Sequence, residues 1–320
     1  SSGAVGVAMA WAGFGVWALV GQQVLYYLVL MGVLFITVPW RPAAAFAPER
    51  VESMFRFGWK LLCASLVDTL FTNPSGLVVG KIYDENTMGV YSRGEQFPKL
   101  IVTNLGTAIQ AVMLPALSAR QTHPEQVLSL LRRAIKTSVF LVLPMMAGLA
   151  AAADNLVLVL LGEKWMDCVP YLQISCLAYA VWPMDIANLQ ALNAMGRSDV
   201  FLKLEIVKKV VGVVILLLSM KCGAVTFIAW KAAGDFLCTF INAWPNQKLL
   251  GYSIRQLWRD ILPAVLVSAV MGAVVYCSRF LLPAGFLGLG GQVMLGVAVY
   301  LFLSWIFKLE SFSYLWNLVW

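Results

Sequence analysis

Residues 54–117 read MFRFGWKLLCASLVDTLFTNPSGLVVGKIYDENTMGVYSRGEQFPKLIVTNLGTAIQAVMLPAL, and the fold class turns on them. Two apolar stretches, each longer than the roughly 20 residues a bilayer core requires, meet at the short acidic hinge Asp84-Glu85-Asn86. Both carry polar residues at helical spacing. In the second, Arg93, Gln96, Thr103, Asn104, Thr107 and Gln110 fall within roughly 120° of arc at ~100° per residue. In the first, Ser65, Asp68, Thr69, Thr72 and Ser75 share one side. Hydrocarbon penalises such groups, so these faces are expected to border a protein interior or a water-filled cavity.

The rest of the chain has the same character. It is 61% hydrophobic and 12% charged over 320 residues, with a mean hydropathy of +0.80. Soluble domains are about 25% charged, so this is an integral membrane protein. The apolar runs are continuous rather than alternating, which excludes a β-barrel. The expected class is all-α: a polytopic helical membrane protein of about ten transmembrane helices.

Outward from the opening hairpin, spans are expected at Gly3–Phe14, Trp17–Val38, Ser138–Ala153, Tyr171–Met195, Ile206–Met220, Ala224–Trp244, Ile261–Leu282 and Phe286–Phe307. The run Leu156–Leu161 is too short to cross and reads as interfacial. His123-Pro124-Glu125 resembles a helix start. Pro245–Lys248 and Arg255–Asp260 read as polar loop. The segment 40–53, with Pro42, Pro48, Glu49 and Arg50, marks the best internal boundary. The chain starts inside an apolar run without methionine or a signal-peptide pattern, and is expected to be a fragment of a longer protein.

Alternate loops are basic. Arg41, Arg50, Arg56, Lys60, Arg120, Arg132, Arg133, Lys136, Arg197, Lys203, Lys208, Lys209, Lys248, Arg255, Arg259 and Lys308 fall on one side, with little beyond Lys164, Lys221 and Arg279 opposite, plus Lys81 at a helix end. The positive-inside rule makes the basic side cytoplasmic. It also accounts for the net charge of +7 without a nucleic-acid partner. The six cysteines show no CxxC spacing and read as small buried hydrophobes, and His123 suggests no metal or catalytic role.

Arg93 lies a few residues into its helix, and its guanidinium suits phosphate or carboxylate oxygens. The plain alternative is an interfacial arginine that snorkels. Asp68, at mid-helix, is the most costly group of the hairpin; it could pair with Arg93, bind a cation or take up a proton. Glu95 and Lys99, four apart, read as an ordinary ion pair. Lys231, Asp235, Thr239, Asn242 and Asn246 occupy roughly 80° of arc, where a self-neutralising Lys231–Asp235 pair is the alternative to a ligand role. Asp185, Asn188 and Asn193 around Pro183 make a weaker third stripe, with the proline expected to kink the helix. No HExxH, GxSxG, Walker A or GxGxxG occurs in context, so the chain reads as a non-enzyme without cofactor or metal.

Several strings resemble a known family: Gly13-Phe14-Gly15-Val16-Trp17-Ala18-Leu19-Val20 before Trp40-Arg41-Pro42, then Asp68-Thr69, Tyr91-Ser92-Arg93-Gly94 with Phe97-Pro98, and Gly196-Arg197-Ser198-Asp199. Their order is similar to bacterial lipopolysaccharide and O-antigen flippases, the polysaccharide-exporter branch of the multidrug/oligosaccharidyl-lipid/polysaccharide superfamily. The resemblance implies two six-helix lobes around a cavity, often with two added helices. It implies movement of undecaprenyl-diphosphate-linked oligosaccharide across the bacterial inner membrane by alternating access.

On that pattern, residues 1–39 are the last two helices of a truncated first lobe and 40–53 a cytoplasmic connection. Residues 54–250 are the second lobe, and 251–320 the two added helices and tail. The implied partners are the lipid-linked oligosaccharide, membrane lipids and a coupling ion, proton or sodium. The expected cavity residues are Arg93, Asp68, Gln96, Asn104, Gln110, Lys231, Asp235 and Asn242, with Arg93 at the diphosphate, helped by Lys81 or Lys99, and Asn104, Gln110 and Asn242 at the sugars. The rival cargo reading is a cation-coupled drug exporter, which would want acidic and aromatic cavity groups. A glycan polymerase or ligase would want a large outward loop, which the sequence lacks.

Overall fold

The computed structural model describes residues 2–38, 83–120 and 123–319. The first helix of the opening hairpin, with Ser65, Asp68, Thr69, Thr72 and Ser75, lies outside the described residues, as does the segment 40–53. Residues 2–38 belong to one compact unit and 83–319 to another.

In the first unit, α1 (Ser2–Trp11) and α2 (Val16–Thr37) are joined, at the break expected between Phe14 and Trp17, by a turn in which Gly13 and Gly15 take φ of 84° and 51°. A Cβ at Gly6 would lie 2.7 Å from Gln22 Oε1, and one at Gly21 2.6 Å from Met9 Sδ. Small residues thus let the two helices approach closely.

The second unit is an up-and-down array of α3 (Glu85–Ser118), α4 (Pro124–Ala151), α5 (Ala153–Leu160), α6 (Val169–Ala180), α7 (Trp182–Ala194), α8 (Ser198–Ser219), α9 (Ala224–Leu250), α10 (Ile254–Ser278), α11 (Phe286–Ile306) and α12 (Glu310–Val319). Six described helices, α2, α3, α4, α9, α10 and α11, are long and apolar enough to cross a membrane. Side chains such as Leu218, Leu287, Met294 and Phe302 are more than half exposed, an apolar surface suited to lipid.

The acidic hinge begins α3. The Asp84 carboxylate accepts a 2.7 Å hydrogen bond from the Thr87 backbone N–H, and Thr87 holds that carboxyl below the usual range. With 34 residues, α3 is about 50 Å long, which exceeds a hydrocarbon core of roughly 30 Å.

Five expected boundaries are corrected, among them the start of α8, at Ser198 rather than Ile206. The Tyr171–Met195 span is two helices broken at Val181, because Pro183 in the first turn of α7 lacks a backbone donor. Pro245–Lys248 is not loop; α9 runs through Pro245 and stops at Gly251, which takes φ 69°. Arg255–Asp260 forms the first turns of α10, started by a reciprocal Ser253–Gln256 capping box. The start of α4 at Pro124 is as expected, but the helix begins well before Ser138, burying Val127, Leu131 and Ile135 on one face.

Packing fixes which ends lie together. Asp260 accepts from Arg132 Nε and Nη2, both at 2.7 Å, and from Tyr252 at 2.9 Å. Lys136 bridges Asp260 and Glu310 at 3.3 and 2.7 Å. The first turns of α4, α10 and α12 therefore share one end, the end that carries the basic residues Arg132, Lys136, Arg255 and Arg259. At the other end, Arg279 meets Asp154 at 3.5 Å, and Asn155 accepts from the Gly285 N–H at 2.8 Å. On α3, a Cβ at Gly94 would meet Cys168 O, Leu172 N and Tyr171 Cβ at 2.8–2.9 Å. Only glycine lets α6 come this close.

Candidate functional site

Among the described residues, α3 packs against α4, α6 and α7. An open cavity of about 1390 Å³ lies between α3, α6, α7, α8 and α9. Of the residues expected from sequence, Gln96, Gln110, Lys231, Asp235 and Asn242 line it. Asp68 lies outside the described residues.

Arg93 and Asn104 do not line the cavity. Arg93 Nη1 donates to Gln96 Oε1 at 3.1 Å, and its guanidinium sits 5.5 Å from the ring centre of Trp165, in the short 3-10 helix Glu163–Cys168. It is one turn from the cavity stripe but about 60° around the helix from Gln96. Asn104 Nδ2 donates back to Leu100 O at 2.8 Å.

The expected ion pairs are also rearranged. Glu95 faces α6 and α9 rather than Lys99: its Oε1 accepts from Tyr179 at 2.9 Å and lies 3.7 Å from Lys231 Nζ. Lys231 thus reaches across to α3, although Tyr91 and Asp235 also act on it electrostatically. Lys99 lines the cavity, and its side chain has no hydrogen-bonding or ionic partner among the described residues.

Asp185, assigned above to the weaker stripe, is central. Its Oδ2 accepts from Thr239 Oγ1 at 3.1 Å and its Oδ1 from Asn242 Nδ2 at 3.0 Å. One turn further, Asn246 Nδ2 donates to Asn188 Oδ1 at 2.8 Å. The α8 wall adds Glu205, Lys208 and Lys209, with Lys208 paired to Glu205. Sequence patterning missed this wall because Lys208 and Lys209 were counted with the basic cytoplasmic side, whereas they line the cavity, and because α8 was taken to begin at Ile206, past Glu205. The charged lining is four basic residues (Lys99, Lys208, Lys209, Lys231) and four acidic ones (Glu95, Asp185, Glu205, Asp235). Tyr91, Tyr179, Trp182, Phe201 and Phe227 add aromatic surface.

A family model described as "Polysaccharide biosynthesis protein" matches residues 1–170, just over half of the chain. The chain belongs to the polysaccharide biosynthesis protein family. Among curated members, it is 22% identical over 249 residues to the teichuronic acid biosynthesis protein TuaB of Bacillus subtilis, covering 77% of this chain and 52% of that protein. It is 26% identical over 277 residues to the lipopolysaccharide biosynthesis protein WzxC of Escherichia coli, covering 81% and 56%. The chain thus spans about half the length of these relatives. A solved structure, lipid II flippase MurJ in an inward closed conformation, superposes with a TM-score of 0.75 at 15% identity, covering 96% of this chain and 65% of that one. The chain shares its fold with that part of the solved structure, and this family member is a multi-pass inner-membrane protein.

Proposed function

We propose that the whole protein of which this chain is part flips a lipid-linked oligosaccharide, with an undecaprenyl-diphosphate carrier, from the cytoplasmic to the outer leaflet by alternating access. The observation that carries this reading is the membrane-embedded cavity, with its lysines and amides on facing helices. The relatives' names, from teichuronic acid and lipopolysaccharide biosynthesis, favour a glycan cargo. Residues 54–250 act as one lobe, 1–39 as the end of the other, 40–53 as their connection and 251–320 as an added pair with its tail. A coupling ion, proton or sodium, gives the movement its direction.

In this proposal, Gln96, Gln110 and Asn242 offer hydrogen bonds to sugar hydroxyls. The diphosphate contact moves from Arg93 to Lys99, whose ammonium faces the cavity uncommitted, whereas Arg93 is held by Gln96 and Trp165. A charge-assisted contact contributes about 1.5–3 kcal/mol, so Lys99→Glu should lower export of surface glycan by about 10-fold or more at equal protein level. Arg93→Ala should export normally. Full export by Lys99→Glu sinks the assignment.

A second reading, a cation-coupled drug exporter, is favoured by one observation: the lining also carries the acidic and aromatic groups such a cargo wants. Drug resistance conferred on a sensitive host, without rescue of surface glycan, would establish it instead.

A further inference from the structure

Asp185 differs from the other acidic groups of the cavity in how it is held. Glu95 lies against Lys231 and Glu205 against Lys208. Asp235 is exposed to the cavity. Asp185 has no basic group within ion-pair distance among the described residues; neutral donors, Thr239 Oγ1 and Asn242 Nδ2, occupy one oxygen each. A carboxylate inside a membrane protein whose hydrogen-bonding partners are all neutral calls for a positive charge closer than Lys208 provides.

The groups around it supply an oxygen-rich setting. Asn242 is 2% exposed, and its Oδ1, on the same amide that donates to Asp185, has no hydrogen-bond partner. Asn246 and Asn188, fully buried one turn on, make a second rung of the same seam, where Asn246 Oδ1 is likewise unpartnered. Thus the α7–α9 seam carries a carboxylate, a hydroxyl and two unpartnered amide oxygens, beside one unpartnered amide donor, Asn188 Nδ2, on the further rung. Hard oxygen donors of this kind suit a hard cation and repel an anion.

We propose that Asp185, Thr239 and Asn242 form a monovalent-cation site in the α7–α9 seam, opening on the cavity and filled by a proton or a sodium ion. The inference deepens the proposed flippase reading by locating its coupling ion. Charged groups act on Asp185 from two sides: Lys208 on α8 and Asp235 on α9, with Glu205 holding Lys208. From α3, Glu95 and Lys99 share the cavity, and α6 presents Tyr179, hydrogen-bonded to Glu95.

Filling the site neutralises Asp185. That weakens its hold on the Thr239 and Asn242 donors of α9 and releases Lys208 of α8 to Glu205. Three cavity walls thereby respond to one charge. The helix break at Val181 and Pro183, just before Asp185, gives α7 a place to pivot.

The test uses the full-length protein in lipid nanodiscs, with no glycan present. One arm titrates pH in sodium-free buffer and reads the protonated-carboxyl infrared band. The other measures binding of radioactive sodium at fixed pH. Wild type should respond in one arm, which identifies the ion. Asp185→Asn should abolish that response, and Asp185→Glu should retain it. Thr239→Val, nearly isosteric, removes one hydrogen bond to the carboxylate. It should raise the protonation midpoint by about one pH unit or weaken sodium binding about 10-fold. An Asp185→Asn protein that titrates and binds as wild type does, or a wild type silent in both arms, overturns the proposal. Should Asp185→Asn not fold, an unchanged Thr239→Val overturns it equally. Glycan export is a separate readout, so failure here leaves the flippase reading standing.

Discussion

Gly94→Ala and Gly89→Ala place the same methyl group on the same helix, five residues apart, and are expected to act in opposite directions. At Gly94 the new Cβ would sit 2.8 Å from Cys168 O, 2.9 Å from Leu172 N and 2.9 Å from Tyr171 Cβ. Ordinary contact begins near 3.4 Å, and two of the three neighbours are backbone atoms that cannot rotate away. Relieving about 0.5 Å of overlap means separating α3 from the start of α6, an overpacking cost of roughly 1–3 kcal/mol. The helix-propensity gain of alanine returns up to about 1 kcal/mol, leaving a net loss of about 1–2 kcal/mol. At Gly89 nothing lies within 4 Å, so only the gain of up to about 1 kcal/mol remains. The propensity gain is common to both, so equilibrium unfolding of the full-length protein in mixed micelles, followed by tryptophan fluorescence, should separate the two variants by the overpacking cost of about 1–3 kcal/mol. A Gly94→Ala protein as stable as Gly89→Ala would refute the close α3–α6 approach.

The Glu95–Lys231 contact should show in a double-mutant cycle with Glu95→Gln and Lys231→Met. At 3.7 Å Coulomb attraction is about 1 kcal/mol at water's dielectric constant and about 4.5 at an effective value of 20. With Lys231 one-third exposed, a coupling of about 2 kcal/mol in the same unfolding assay is expected, and additivity within about 0.5 kcal/mol contradicts the pair. Asp260→Ala leaves Arg132 and Lys136 without their shared carboxylate, which is 6% exposed. It should cost about 2–3 kcal/mol, discounted because Arg132 is 41% exposed, and speed proteolysis near α12; wild-type stability counts against the cluster. Asp84 has a lowered folded-state pKa, so its cap is complete above the unfolded-state value of 3.8 and is lost as pH falls through the lower folded value. Amide exchange at the start of α3 should therefore accelerate only at acid pH, and Asp84→Ala should exchange fast throughout.

Helices were legible where apolar length and polar spacing agreed. The start of α3, its polar stripe and the turn at Gly13–Gly15 follow from local rules for caps and glycine. Proline misled twice in opposite directions. Pro183 breaks a span expected to be kinked, whereas Pro245 is absorbed inside α9, because neighbouring helices decide whether a lost hydrogen bond ends a helix. The partners of charged side chains were not legible. Spacing of four offered Lys99 to Glu95 and Asp235 to Lys231, but the tertiary contact joins Glu95 to Lys231 across two helices. Arg93 fell within the stripe's arc, yet a 60° rotation from Gln96 puts it against Trp165. A sequence signal for Asp185 did exist: the Asp185/Asn188 spacing matches Thr239/Asn242/Asn246, two faces that can pair rung by rung.

The central claim is that this cavity carries a lipid-linked oligosaccharide across the membrane, and the most direct measurement is which leaflet holds that lipid. In spheroplasts depleted of the full-length protein, labelled lipid-linked glycan should accumulate shielded from a membrane-impermeant glycan-oxidising reagent. Wild-type protein should restore its accessibility, and Lys99→Glu should not. Glycan equally accessible with and without the protein would contradict the account.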